Sequence, residues 1–269
     1  MGMKHRCSIG SAVVSCALAY VACIHVALAD EEEAARSVRW TQVRQAVFAD
    51  REVVDGSELL SLDAPMRAPD PALVPLTITM TGSKPIKSVY VVIDNNPAPL
   101  AGHFIFGPAA DMHTLKMRVR VDQYTDIHAV AEGADGKLYA VAKFVKASGG
   151  CSAPAGNEAT QDIGQMKLHL LDSFAAGKPV QAQLMIRHPN FNGMQMNQIT
   201  RYYTPAHFIR TIDVSYGGRS VLHVDADISL STDPVLDFGF VPRGAGKLEI
   251  VVRDSKDEHF EHSFDVPAT

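Results

Sequence analysis

Hydrophobic and polar residues alternate along most of this chain, and the alternation predicts strands. The one helical exception comes early. From Trp40 to Ala49, Val43, Ala46 and Val47 share one face at the i, i+3, i+4 spacing, with Thr41 placed to cap the amino end. After it, β-branched residues and period-two patterning take over. Strands are predicted at Leu73–Thr81, Ile86–Asp94, His103–Phe106, Thr114–Val121, Thr125–Glu132 and Leu138–Val145, the last two joined by the turn Gly133-Ala134-Asp135-Gly136. The pattern stops over Lys146–Gly164, where Gly, Ser, Ala, Pro, Asn and Gln make a linker composition. It resumes at Val180–Arg187, Phe208–Tyr216, Arg219–Ile228, Asp237–Phe240, Gly246–Asp254 and His259–Val266, with Gly217-Gly218 as a tight hairpin turn. Short strands at regular spacing predict an all-β protein of two β-sandwich domains, with a short N-terminal helix and a Gly-rich joint.

The amino terminus changes this picture only at its edge. Lys4, His5 and Arg6 precede an apolar stretch from Ile9 to Ala27, and Ala27-Leu28-Ala29 stands before the acidic run Asp30-Glu31-Glu32-Glu33. A basic start, an apolar middle and a small-x-small exit make residues 1–29 a secretory signal peptide, with Asp30 as the expected new amino terminus. A retained membrane anchor and a lipidated Cys16 or Cys23 are the alternatives. The expected domains are then 30–146, a linker over 147–164, and 165–269. Cleavage removes Lys4 and Arg6 and no acid, taking the formal charge from −5 to −7. An acidic chain of this kind has no electrostatic case for nucleic acid.

Cys151 is the one cysteine outside the signal segment. Oxidising compartments usually pair thiols, so a lone cysteine in an exported protein stands out. Its neighbours Ser148, Gly149, Gly150, Ser152 and Ala153 are small, which predicts a presented thiol on a flexible arm. No helix N-terminus or histidine is placed to activate it, so its pKa is expected near ~8.5. An incidental surface thiol is the alternative from the residues alone. Nine histidines remain after cleavage, none in a recognised metal spacing. His188 with Met194 and Met196 would suit copper, although methionines packing between the domains explain the same residues. No Ser-His-Asp arrangement, phosphate loop or pair of catalytic carboxylates is evident, so no catalytic residue, metal or cofactor is assigned.

Ordered motifs carry a resemblance. In the first half stand Val74-Pro75, Ile93-Asp94-Asn95-Asn96-Pro97, Lys116-Met117-Arg118-Val119-Arg120-Val121 and Val130-Ala131-Glu132-Gly133-Ala134-Asp135-Gly136. Val145-Lys146-Ala147-Ser148-Gly149-Gly150-Cys151 closes that half. In this order they resemble SoxY, the sulfur-carrier subunit of the periplasmic thiosulfate-oxidising system. Ile186-Arg187-His188-Pro189, Tyr202-Tyr203-Thr204-Pro205-Ala206-His207-Phe208-Ile209, Ile228-Ser229-Leu230-Ser231-Thr232-Asp233-Pro234 and Gly246-Lys247-Leu248-Glu249 resemble SoxZ, its immunoglobulin-like partner. The fused order is similar to SoxYZ-like carriers associated with quinoprotein dehydrogenases. Three features depart from the family. The glycine pair after the cysteine is missing, the arm is internal rather than a chain end, and Asn190-Phe191-Asn192-Gly193 follows the His-Pro pair in place of Met-Glu-Thr.

The resemblance implies two immunoglobulin-like sandwiches and a non-enzymatic periplasmic carrier. Cargo attaches at Cys151, on an arm of Ser148, Gly149 and Gly150. The implied partners are Sox-type enzymes or a quinoprotein dehydrogenase, with no nucleic acid, no membrane after cleavage, and a homodimer left open. An adaptor or maturation factor without cargo is the competing reading, and a copper-handling protein is the third.

Overall fold

The computed structural model describes residues 31–82, 84–111, 113–153, 162–173, 177–197 and 199–266. The signal segment 1–29 and much of the linker therefore lie outside the described residues. The chain divides into two compact units, one ending at Ala46 and the other running from Val47. Residues 31–48 are helical, so the helix covers the charged stretch 31–39 ahead of the expected Trp40 start. Thr41 is not its cap. The Thr41 hydroxyl donates to the Ser37 carbonyl one turn back, at 3.0 Å, as an interior helical threonine does. Ala49 stops the helix by taking a left-handed backbone, φ 52°.

All the strands among the described residues lie in the unit from Val47. In chain order they are β1 Val53–Asp55, β2 Leu60–Asp63, β3 Val74–Met80, β4 Ile86–Ile93, β5 Leu100–Phe106, β6 Thr114–Val119, β7 Thr125–Gly133 and β8 Leu138–Val145. After the linker come β9 Met166–Leu170, β10 Val180–Ile186, β11 Ile209–Tyr216, β12 Arg219–Ala226, β13 Val235–Phe240, β14 Gly246–Asp254 and β15 His259–Val266. Alternation in burial follows alternation in sequence: β3 and β10 bury every second side chain.

The strands form two sheets, and each sheet contains strands from both halves of the chain. The nine-stranded sheet runs β1-β8-β7-β4-β5-β12-β11-β14-β15, and the six-stranded sheet β2-β3-β6-β13-β10-β9. The halves meet edge to edge. In one sheet β5 pairs antiparallel with β12, with His103 opposite Asp225 and Phe106 opposite Leu222. In the other, β6 meets β13 at Lys116 and Asp237, whose side chains also form an ion pair at 3.6 Å. The two sandwiches share one apolar core, continuous from Val89, Val91 and Phe104 to Val214, Leu222 and Ile250.

This junction positions the functional site. Where β6 ends, its chain continues through Arg120 and Val121 alongside residues 229–231 of the second half. The Arg120 amide donates to Ser229 O at 2.8 Å and the Ser231 amide to Arg118 O at 3.2 Å. Asn96 ties the corner, donating through Nδ2 to Arg120 O and Ser229 Oγ while its Oδ1 accepts from the Asp122 amide. The segment after β8 lies against this corner.

Candidate functional site around Cys151

Cys151 is 1% exposed. The expectation of a presented thiol is therefore corrected, because small neighbours allow close packing as readily as they allow reach. The Gly149 amide donates to Asp122 O at 2.8 Å and the Gly150 amide to Val121 O at 3.0 Å. Gly149 is left-handed, φ 82°. Gly150 is needed for a different reason: a Cβ there would lie 2.0 Å from Pro71 O and 2.6 Å from Val121 O. Only a residue without a side chain lets three backbone segments meet at that point. The second half closes the seat from the other side, where Asn192 donates from Nδ2 to Cys151 O at 2.7 Å. Ser148, expected on the arm with the two glycines, is exposed. In this state the arm is fastened.

Burial sets the chemistry of the sulfur. Desolvation pushes the Cys151 thiol up to about 12, with the Asp122 carboxylate pushing the same way and Arg120 opposing. The expected unshifted value rested on local sequence and missed all three effects. At pH 8 roughly one closed molecule in ten thousand carries the thiolate, the form that reacts.

Beside the thiol lies a buried cation. Arg120 is 1% exposed. Its Nη1 donates to Gly150 O at 3.4 Å, and its Nη2 to Asn190 O at 3.4 Å and to Thr232 Oγ1 at 2.6 Å. Among the described residues its Nε has no hydrogen-bond partner. Among the described residues no carboxylate comes within ion-pair distance of this guanidinium. Desolvation lowers its pKa, while Cys151 and the exposed Asp70 act in the opposite direction.

Asn190 links this corner to a buried polar cluster. Its Nδ2 donates to Ser231 O at 2.8 Å, its Oδ1 accepts from the Ile209 amide at 3.0 Å, and the same Oδ1 lies 2.8 Å from His188 Nδ1. On the far side of His188, Asp254 Oδ2 stands 3.4 Å from His188 Nε2 and 2.6 Å from His207 Nε2. Asp254 Oδ1 accepts from the Lys256 and Glu258 amides. Burial lowers the His188 pKa despite that carboxylate. For Asp254, burial acts upward, but the His207 hydrogen bond and the two amides outweigh it and hold the carboxyl below the usual range.

The structure thus brings His188 together with His207 and Asp254. The ligand atoms of these three buried residues lie within 4.8 Å of one another. A two-histidine, one-carboxylate set of that kind has the donors to hold a divalent metal, although hydrogen bonding already satisfies the carboxylate. Sequence reasoning did not bring them together, since His207 and Asp254 are 47 residues apart. It also missed Arg120, Asn190, Asn192 and Thr232. Asn190 and Asn192 stand in the stretch that departs from the family pattern after His188-Pro189, and that departure was the available signal.

Comparison with known proteins agrees with the geometry. Residues 44–151 match the family described as sulfur oxidation protein SoxY, a match ending on Cys151 itself. Residues 169–265 match sulphur oxidation protein SoxZ. A search of the curated proteins gives no match. Among solved structures, the sulfur carrier protein SoxY from Chlorobium limicola f thiosulfatophilum overlaps with 21% identity and a TM-score of 0.37, covering 44% of this chain and 98% of its own. A β-glycosidase from Bacteroides vulgatus overlaps with 11% identity and a TM-score of 0.25, covering 82% of this chain and 26% of its own. A glycosyl hydrolase family 2 member from Bacteroides cellulosilyticus DSM 14838 gives 10% and 0.23, covering 72% and 24%. Overlaps this loose establish neither fold nor function. The family matches establish membership and fold: with a SoxY domain and a SoxZ domain in tandem, the chain belongs to the fused SoxYZ-like sulfur carriers, two immunoglobulin-like β domains in one polypeptide.

Proposed function

We propose that this protein is a non-enzymatic periplasmic carrier that holds a sulfur-containing intermediate covalently on Cys151 for partner redox enzymes of the Sox type. One observation carries the reading. The single free thiol among the described residues terminates the SoxY match and is held by both halves of the chain, through Val121 and Asn192. The secretory pattern of residues 1–29 supports the compartment, and no helix among the described residues is long and apolar enough to cross a membrane. Ser148, Gly149 and Gly150 form the arm that carries the sulfur out of its seat.

Loading needs the thiolate. It attacks a sulfane sulfur that bears a leaving group, a sulfur–sulfur bond forms, the leaving group departs with the bonding pair, and the thiol proton goes to solvent. A thiol held near pKa 12 does not do this in place. The carrier therefore cycles between a closed seat that protects the sulfur and an open arm that reacts, the open form being selected by a partner that binds it.

A buried, protonated cysteine also suits the second reading, an adaptor or maturation factor for a quinoprotein dehydrogenase with the thiol uninvolved. Cys151→Ser in the native host separates the two. Loss of the carrier-dependent oxidation with normal protein levels, together with added mass on Cys151 in the isolated protein, supports the carrier. Full activity of the serine variant sinks it and leaves the adaptor.

A further inference from the structure

A guanidinium taken out of water costs several kcal/mol unless an opposite charge or a full set of hydrogen bonds compensates it. Arg120 has neither. Its acceptors are two backbone carbonyls and a hydroxyl, two of the three at 3.4 Å, and its Nε is unpartnered. Every one of these acceptors belongs to the seat of the thiol or to the segment of the second half that closes it. Gly150 precedes Cys151, and Asn190 stands two residues before the Asn192 that holds the Cys151 carbonyl. Thr232 is itself oriented, because its hydroxyl donates to Pro189 O at 3.0 Å and so turns a lone pair to the guanidinium. A purely structural guanidinium would be expected to make close hydrogen bonds with all its donors, and here two of the three bonds are long. Among the described residues no carboxylate lies within ion-pair distance of the guanidinium, Asp70 and Asp122 acting only from further off, and the empty thiol, protonated at neutral pH, does not supply an anion either.

We propose that Arg120 is the anion-receiving residue of the loaded carrier: in the closed state its guanidinium takes the negatively charged end of a sulfur adduct on Cys151. The ligand class is a terminal sulfur anion, persulfide or thiosulfonate. A neutral cargo gains nothing from this site. Loading thus completes the charge balance of the junction, and the closed state holds a charged adduct more firmly than it holds the bare thiol. The inference rests on the carrier reading and adds to it the residue that receives the charged end of the cargo.

The test attaches the cargo chemically. In denaturant, tetrathionate loads the protein through attack of the Cys151 thiolate on an inner sulfur. A thiosulfonate adduct forms, thiosulfate leaves with the bonding pair, and the thiol proton goes to solvent. Methyl methanethiosulfonate gives a neutral methyl disulfide by the same displacement, with methanesulfinate leaving. After refolding, each adduct is reduced with a phosphine, and its rate is divided by the rate for the same adduct in unfolded protein. The anionic adduct should be protected roughly tenfold more than the neutral one, and its Tm should lie about 2–4 °C higher. Arg120→Met should erase both differences, and Arg120→Lys should keep part of them. Should the methionine variant fail to fold, the wild-type comparison and the lysine variant still decide. Equal protection of the two adducts in the wild type, or a difference that survives Arg120→Met, overturns the assignment. Because no native cargo is used, that failure would leave the carrier reading standing, whereas an active Cys151→Ser would remove the carrier reading itself.

Discussion

The side-chain amide of Asn192 donates to the carbonyl oxygen of Cys151 at 2.7 Å, with both residues buried. This bond crosses from the SoxZ-like half to the SoxY-like half, on the residue that carries the thiol. It acts as a latch. Asn192 is itself fixed, since its Oδ1 accepts from the Met194 amide and its own amide donates to Gln195 Oε1.

Asn192→Ala should release that latch. Losing a buried hydrogen bond and leaving a carbonyl unsatisfied costs about 1–3 kcal/mol. If most of this falls on the closed state, alkylation of Cys151 should speed up roughly 5- to 150-fold, with Tm falling by about 2–4 °C for each kcal/mol lost. A thiol-titration time course checks it. An unchanged rate would show that the arm opens without breaking this bond.

Alkaline pH should open the seat. The folded thiol pKa of about 12 lies above that of an exposed cysteine. The closed state therefore keeps its proton where the open state has lost it. The stability this gives is complete below the open-state value, ~8.5, and drains away as pH rises from there toward 12. Accordingly, the alkylation rate of the native protein should keep rising about tenfold per pH unit beyond pH 9, where the unfolded protein levels off. A plateau near pH 8.5 in the native protein would mean an open thiol.

The two glycines should differ. Gly150→Ala places a methyl against Pro71 O and Val121 O, so the turn must move, at a cost of about 1–3 kcal/mol, and the thiol should become reactive. Gly149→Asn can keep the left-handed backbone, and its Cβ would meet only Ser152 Oγ at an ordinary contact distance of 3.8 Å, so it should cost less than ~1 kcal/mol. Urea midpoints and thiol titration measure both. Equal effects would contradict the close approach at Gly150.

Proteolytic cleavage between residues 154 and 161 should leave the two halves together. Five residue pairs join β5 to β12, β6 meets β13, and a shared apolar core runs across the junction. Gel filtration of the nicked protein should give one peak at the intact size, and separation of the halves under native conditions would refute the pairing.

Alternation made the strands legible. Each strand expected from the pattern is present, with ends moved by a few residues, because one buried face is enough to write period two into the sequence. The three that escaped, β1, β2 and β9, span three to five residues each, too few to show a period. The helix began earlier than its apolar stripe because residues 31–39 carry mostly charge and little periodicity. Cys151 stood out as a lone thiol, but its burial did not. The groups that bury it, Pro71, Val121 and Asn192, come from three distant parts of the chain, and glycine reads the same whether it frees a backbone or lets two backbones touch. Arg120 read as one of the alternating polar residues of a strand, and only the junction of the halves turns it inward.

The shared sheets also bear on the order in which this chain becomes structured. Until residues 219–240 arrive, β5 and β6 are bare edges, with unpaired backbone donors and acceptors that any other strand can adopt. For a partner made as a separate chain, the lifetime of those edges depends on diffusion and on how much of that partner is present. Here the strands that cover them follow on the same polypeptide, so the wait is set by chain length and not by concentration. Fusion thus shortens the time those edges stand bare, and it holds the two halves at fixed stoichiometry however little of the protein the cell makes.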